Sequence, residues 1–424
     1  MEKAYKIKNG RVVDPLNTID CSSDLCVNAG KICSPADLPP GAIEIDANGC
    51  LVFPGFIDMH VHLREPGEEY KEDIRSGAAA AASGGFTAVA CMPNTKPVND
   101  NAAVCAMIQE RGRAADARVY PIAAISKGCQ GKNLAEFGEL RDAGAVGVTD
   151  DGLPVSDSQL MRRAIEYASD FDLAVIAHCE DLALSTGVMN EGEMSTLLGL
   201  KGIPNAAESV MVYREIALAE FTGKRVHIAH VSAAESVELI RNAKARGVRV
   251  TAETAPHYFS LTEQAVSGYA TNAKMNPPLR SEFDREAVIQ GIKDGTIDVI
   301  ATDHAPHSIL EKEVEFDLAA FGIIGLETAI PLTLDLVRKG IIDETRMAQL
   351  LSVNPARILG VSGGSLSVGN MADVTIIDPE LSFTYSVDQV VSKSQNSPFI
   401  GKAMDGRAVL TMVGGNITFS RLQI

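Results

Sequence analysis

The chain is short of positive charge: 38 lysines and arginines stand against 55 aspartates and glutamates in 424 residues, a formal net charge of −17. A surface of that sign repels a phosphate backbone over most of its area, which argues against nucleic acid as a partner. Long apolar runs are also missing. The longest uncharged stretch, Ser76 to Thr95, is cut by Gly84-Gly85 and Pro93-Asn94 and is largely Ala, Ser and Thr, so it reads as a helix end, a turn and a strand rather than a membrane span. No apolar leader follows Met1-Glu2-Lys3-Ala4-Tyr5, and a cytoplasmic location is expected. The eight cysteines form no CxxC pair. Cys21, Cys26 and Cys33 come nearest to a metal cluster, yet their spacing favours small reduced thiols. Low-complexity segments and short repeats are absent, and 46% hydrophobic with 22% charged residues excludes disordered, collagen-like and coiled-coil chains.

What the chain contains is alternation. Strand-like runs at Phe56 to His60, Phe86 to Cys91, Arg118 to Ala124, Ala145 to Thr149, Leu173 to His178, Val226 to His230, Val248 to Glu253 and Asp298 to Asp303 are separated by helix-forming stretches. Among these are Glu72 to Ser83, Ser158 to Ser169, Ser209 to Phe221 and Ala233 to Ala245. Eight βα units predict an α/β fold with a (β/α)8 TIM barrel. Tyr5 to Val13 with a Lys8-Asn9-Gly10 turn, Ala372 to Ile377, and Val409 to Phe419 read as antiparallel strands of one small β-sandwich domain built from both termini. The expected division is 1–53 and 354–424 for the sandwich and 54–353 for the barrel. Asn354-Pro355 followed by Gly360 predicts a short capped helix at the return.

Barrel enzymes carry their chemistry at the C-terminal ends of the strands, and here those ends are rich in metal-binding groups. The two-residue period of a strand puts His60 and His62 on one face, roughly 6.6 Å apart. Strand four ends in Asp150-Asp151, strand five in His178, strand six in His230 and strand eight in Asp303-His304. His60, His62, His178 and His230 with Asp151 and Asp303 form a nitrogen and oxygen set suited to zinc in a hydrolytic site. An isolated HxH or strand-end histidine is commonly structural; six such groups on one rim are not. The same parity turns His304 and Asp150 away. It sends His227, three residues before His230, toward the helix layer, while His257 is read as a neighbour of the site. Asp58 either orients a ligand or satisfies a buried backbone group.

The stretch Pro54-Gly55-Phe56-Ile57-Asp58-Met59-His60-Val61-His62-Leu63-Arg64-Glu65-Pro66-Gly67 resembles the first signature of the dihydroorotases, within the urease-related amidohydrolase superfamily. Ala301-Thr302-Asp303-His304-Ala305-Pro306-His307, with Lys312 five positions on, resembles the second. Met92 to Thr95, Thr149 to Gly152, Ala177 to Asp181, Lys274 to Arg280 and Phe321 to Glu327 fit in order, so the resemblance spans nearly the whole chain and points to the bacterial type I form.

The resemblance implies one or two zinc ions. His60, His62 and Asp303 would hold the more buried one and His178 and His230 the second, with Asp151 between them. Zinc lowers the pKa of water and polarises a carbonyl, and Asp303 would act as general base and then acid. Arg64, Asn94 and His307 would take the substrate carboxylate, with His62, Asn276 and the Phe321-Gly322 backbone around the ring. Two zinc ions less two carboxylates and one hydroxide leave about +1 for an anionic substrate despite the overall charge. The stretch from His307 to Gly322 is an expected lid. Many superfamily relatives carry a carboxylated lysine where this chain has Asp151, and no lysine stands between Gly144 and Gly152. That disfavours the rival reading, a hydantoinase or allantoinase. A homodimer is in keeping with the resemblance. The rival of another class is a non-catalytic structural partner of aspartate carbamoyltransferase, which should have lost ligands.

Overall fold

Eight strands run parallel in one sheet and in chain order: β1 (Phe56–Val61), β2 (Phe86–Cys91), β3 (Arg118–Ala123), β4 (Gly147–Val148), β5 (Ala174–Ala177), β6 (Val226–Ile228), β7 (Val250–Thr254) and β8 (Val299–Ile300). The computed structural model describes residues 3–422. Just past β8, His304 bridges Val61 of β1 in parallel, and the His62 amide donates to the His304 carbonyl at 2.8 Å, so the expected barrel is nearly closed.

A helix follows each strand: α1 (Ile74–Ser83), α2 (Ala102–Gly112), α3 (Phe137–Asp142), α4 (Ser158–Ser169), α5 (Ala206–Thr222), α6 (Ala234–Ala245), α7 (Glu282–Asp294) and α8 (Ala329–Arg338). Asp73, Asn101, Asp157 and Ser281 accept backbone amides at the starts of α1, α2, α4 and α7, groups that would otherwise lack partners. Ile57, Met59, Ala88, Ala90, Ile122, Ile176, Ala229 and Val299 fill the barrel interior, and Ala356, Ile358 and Leu359 close its floor. The filled interior leaves only the rim free for chemistry.

Both ends of the chain interleave in two further sheets. One runs in the order Asn416–Ser420, Ala403–Val413, Val374–Thr384, Leu51–Pro54, Arg11–Asp14, Ile19–Ser22; the other runs Lys31–Cys33, Leu25–Asn28, Tyr5–Lys8, Ile43–Asp46. Tyr5, Ile7, Val12, Val27, Ile45, Val374 and Leu410 share their core. The expected antiparallel turn at Lys8-Asn9-Gly10 is different in kind. Asn9 takes φ 65°, and the chain passes from one sheet to the other. Tyr5–Lys8 then pairs parallel with Ile43–Asp46, and Arg11–Asp14 pairs parallel with Leu51–Pro54. Splitting the two strands lets Ile7 and Val12 enter the shared core from different sheets.

The expected short helix is present as Asn354–Leu359, but Asn354 does not cap it and it is not a separate element. Glu344–Ala348, Gln349–Val353 and Asn354–Leu359 follow without a break, with a π-turn in the middle. The wider spacing there accommodates a proline that has no amide to give. Gly360, at φ 66°, ends the run as expected. Among the described residues no helix is long and apolar enough to cross a membrane. All eight cysteines are free, in keeping with the reduced thiols expected; Cys21 is exposed, Cys33 and Cys129 are half-buried and the other five are buried.

Candidate active site

Six side chains from five strand ends meet at the C-terminal rim, all of them buried. Asp151 sits among them with one oxygen toward each histidine pair. Its Oδ1 lies 3.1 Å from His178 Nδ1 and 3.2 Å from His230 Nε2. Its Oδ2 lies 3.4 Å from His60 Nε2 and 3.5 Å from His62 Nε2. Asp303 Oδ1 is 3.2 Å from His62 Nε2 and 3.7 Å from His60 Nε2. The ligand atoms of His60, Asp151 and His230 all lie within 4.8 Å of one another, and so do those of His60, His62 and Asp303. These two buried groups make a candidate metal site.

The local backbone is bent to achieve this. Arg64, His230 and Asp303 occupy the left-handed region at φ 60°, 34° and 47°, a conformation that costs a non-glycine residue on the order of 1 kcal/mol and that collects at functional sites.

The donor chemistry fits a cation. Asn94 Oδ1, 2.9 Å from His62 Nδ1, and Glu180 Oε2, 3.1 Å from His178 Nε2, accept from the outward nitrogens, which leaves the inward nitrogen of each ring to face a metal in place of a proton. His178 Nδ1 and His230 Nε2 face each other at 2.8 Å, and the buried Nε2 of His60 has no hydrogen-bond partner. Burial alone would raise the Asp151 carboxyl, but His60, His178 and His230 hold it well below the usual carboxylate range. Asp303 is likewise lowered, by His62 and His60 against burial. His178 moves the other way: burial would lower it, and Asp151 and Glu180 push it up to about 10. The carboxylate shifts reflect the positive charge of the neighbouring imidazoles and the His178 shift the negative charge of Asp151 and Glu180, so the two kinds of group stabilise each other's charged forms.

The opposite wall holds the groups expected to meet an anionic substrate. A cavity of about 230 Å³ is lined by every expected site residue except His60, which lies beneath it. Arg64 donates from Nε to the Pro306 carbonyl at 3.2 Å, and its terminal nitrogen lies 3.3 Å from His307 Nε2. That same His307 nitrogen is 2.8 Å from the Phe321 carbonyl. Burial, reinforced by Arg64, lowers His307 to about 3, so its imidazole is neutral at physiological pH. Asn276 donates to Glu180 at 3.0 Å. Gly322 takes φ +127°, and a Cβ there would fall 2.7 Å from the Ala305 Cβ, so only glycine allows this backbone to reach the cavity.

A family model described as dihydro-orotase-like matches residues 49–236. The dihydroorotase of Geotalea daltonii is 56% identical over 420 residues, spanning 98% of this chain and 99% of that protein. The dihydroorotase of Desulfotalea psychrophila is 57% identical over 417 residues, spanning 98% and 99%. The chain belongs to the dihydroorotase family. Among solved structures, the L-hydantoinase of Arthrobacter aurescens shares the fold with a TM-score of 0.89 at 25% identity, covering 100% of this chain and 97% of that one.

Several residues take places that the sequence did not announce. Glu253, at the end of β7, lies 2.6 Å from His60 Nδ1 and 3.1 Å from His227 Nε2. A carboxylate in an apolar barrel strand is the signal that finds it, because such a charge must be partnered. His227 therefore faces the barrel interior, not the helix layer. It is in register with Ile176 of the interior, and the left-handed turn at His230 breaks the two-residue period between them. Asp58 satisfies backbone amides of His60 and Thr302, at 3.1 Å each. Asp150 accepts from the Ser126 amide at 2.9 Å and points away, as expected. His304 accepts from the Gly325 amide at 3.2 Å. Asn396, far along the chain, donates to the Ala305 and Gly322 carbonyls at 3.0 Å each and accepts from the His307 amide at 3.1 Å.

Proposed function

We propose that this chain interconverts N-carbamoyl-L-aspartate and L-dihydroorotate in pyrimidine biosynthesis, with zinc as its metal. The observation that carries the reading is the pairing, in one cavity, of a buried His/Asp cluster with a buried arginine and a neutral histidine.

His60, His62 and Asp303 would hold one zinc ion and His178 and His230 a second, with Asp151 between them. Bound zinc supplies Lewis acidity, which acidifies water and polarises the amide carbonyl. Asp303, kept ionised by His62 and His60, takes a proton from the attacking water as its oxygen adds to the ring carbonyl carbon. It returns that proton to the ring nitrogen as the carbon–nitrogen bond breaks; ring closure runs the same steps backward. Arg64 presents a planar fork to the substrate carboxylate, which a lysine cannot match. The neutral His307 and the amides of Asn94 and Asn276 add hydrogen bonds without further charge, and the Phe321-Gly322 backbone borders the ring.

The segment from His307 to Gly322 acts as the lid. Lys312 donates to the Lys274, Ala320 and Gly322 carbonyls at 3.2, 2.8 and 3.1 Å, tying the lid to the cavity wall. A cytoplasmic homodimer belongs to the same reading, and light scattering tests it.

The deciding experiment measures kcat/KM for dihydroorotate beside hydantoin, dihydrouracil and allantoin. A preference of at least about a hundredfold for dihydroorotate is expected from a site built around a carboxylate partner. Faster turnover of hydantoin or allantoin would sink the substrate assignment while leaving the metal site standing.

A further inference from the structure

Below the cavity lies a polar chain that the proposed chemistry does not use. Glu253, 1% exposed, is shared by two imidazoles: Oε1 lies 2.6 Å from His60 Nδ1 and Oε2 lies 3.1 Å from His227 Nε2. His227 Nδ1 in turn lies 2.8 Å from Thr251 Oγ1, across a register that pairs these residues on β6 and β7. His60 and His227 are themselves 0–2% exposed, while Thr251, at the outer end, is half-buried.

An ionised carboxylate only accepts hydrogen bonds. Both rings must therefore donate to Glu253, His60 from Nδ1 and His227 from Nε2. The His60 lone pair is then left on Nε2, the buried atom that has no hydrogen-bond partner and that lies 3.4 Å from Asp151 Oδ2. His227 completes the arrangement by occupying the second carboxylate oxygen, which prevents Glu253 from turning away, and Thr251 fixes His227 from the other side.

We infer that Glu253, braced by His227 and Thr251, is the positioning residue that sets the tautomer and orientation of His60 and thereby the affinity of the metal site. The inference rests on the metal reading proposed above. Glu253 reaches no cavity surface and touches no substrate; it acts through His60. Outer partners of this kind commonly govern metal affinity by roughly 10–100-fold.

The test is metal retention by the zinc-loaded protein against a chromophoric chelator, for the wild type, Glu253→Gln and His227→Gln. Circular dichroism gives the folded fraction, and nitrogen-15 spectra of histidine-labelled protein give ring tautomers. Gln at 253 offers one acceptor and one donor in place of two acceptors, so one ring loses its partner. Glu253→Gln is expected to lose zinc at roughly 10–100-fold lower chelator concentration while staying folded. His227→Gln, which keeps a donor for Glu253, is expected to lose less than that.

In the wild type, the His60 signal is expected to be that of an Nδ1-protonated ring. An Nε2-protonated His60 overturns the inference whether or not the variants fold. So does a folded Glu253→Gln that retains zinc like the wild type, since a purely structural carboxylate would lower thermal stability without moving metal affinity. Should the wild type bind no zinc at all, it is the metal reading that fails, and the inference, which concerns the affinity of that metal site, falls with it.

Discussion

On the histidine side of the cavity three of the four rings are held by a side-chain acceptor, Glu253 for His60, Asn94 for His62 and Glu180 for His178. On the facing side Arg64 and His307 rest mainly on loop carbonyls, those of Pro306 and Phe321, and the loops are clamped by Lys312 and Asn396. The difference follows from what each wall must do. A metal needs lone pairs fixed in direction, which calls for tautomer-setting partners. A substrate must enter and leave, which calls for a wall that is firm when closed yet built from a segment that can open.

Breaking the histidine side should have the largest effect. Asp303→Ala removes the group proposed as both ligand and proton carrier, and turnover is expected to fall by at least roughly 10²–10⁴-fold with circular dichroism unchanged; an active variant would refute the role given to Asp303. On the facing wall Arg64→Met should cut kcat/KM for dihydroorotate by about a hundredfold, the scale of a lost charge-assisted contact, while zinc content stays at the wild-type value. Loss of zinc in that variant would show that the walls are not separate.

Asn396→Ala leaves the Ala305 carbonyl and the His307 amide without their partner, at a cost of about 1–3 kcal/mol for each group that stays dry, and leaves the Gly322 carbonyl with Lys312 alone. The expected result is a KM raised roughly tenfold and a lower Tm, again with full zinc content. An unchanged KM would remove Asn396 from the support of the substrate wall.

The smallest effect is a pH dependence where the C-terminal segment docks on the barrel. Glu327 accepts from the Val391 amide at 3.1 Å, and burial pushes its carboxyl up to about 7. The unfolded chain gives up this proton near its ordinary value of about 4.3, so between those pH values the folded state holds a proton that the unfolded state lacks. Stability from this group is therefore full below about pH 4, falls as pH rises toward 7 and levels off above it, by at most about 4 kcal/mol. Glu327→Gln should flatten that part of the Tm-versus-pH curve; a slope unchanged from pH 5 to 8 would contradict it.

Much of this was legible beforehand, and what was not has a common cause. The alternation of strand and helix predicts the barrel, parity pairs His60 with His62, and position at the strand ends picks out Asp151, His178, His230 and Asp303, which the structure then brings together. Parity fails at His227 because the backbone turns left-handed at His230, a change that no periodic rule anticipates. Glu253 and Asn396 went unseen because the site residues they support lie far along the chain, His60 at 193 residues from Glu253, and Ala305 and Gly322 at 91 and 74 from Asn396. Local patterns carry strand direction and face; they do not carry which buried polar groups satisfy one another across the barrel. The Asn9 sheet switch and the π-turn before Pro355 belong to the same class, settled by packing against distant strands.

The central claim is that the buried His/Asp cluster holds a metal on which dihydroorotate chemistry depends. Its most direct test is zinc content by mass spectrometry together with the rate of dihydroorotate hydrolysis before chelation, after chelation and after zinc is restored. The account predicts one or two zinc ions per chain, activity that vanishes on chelation and activity that returns with zinc. Hydrolysis that persists in fully metal-free protein would contradict it.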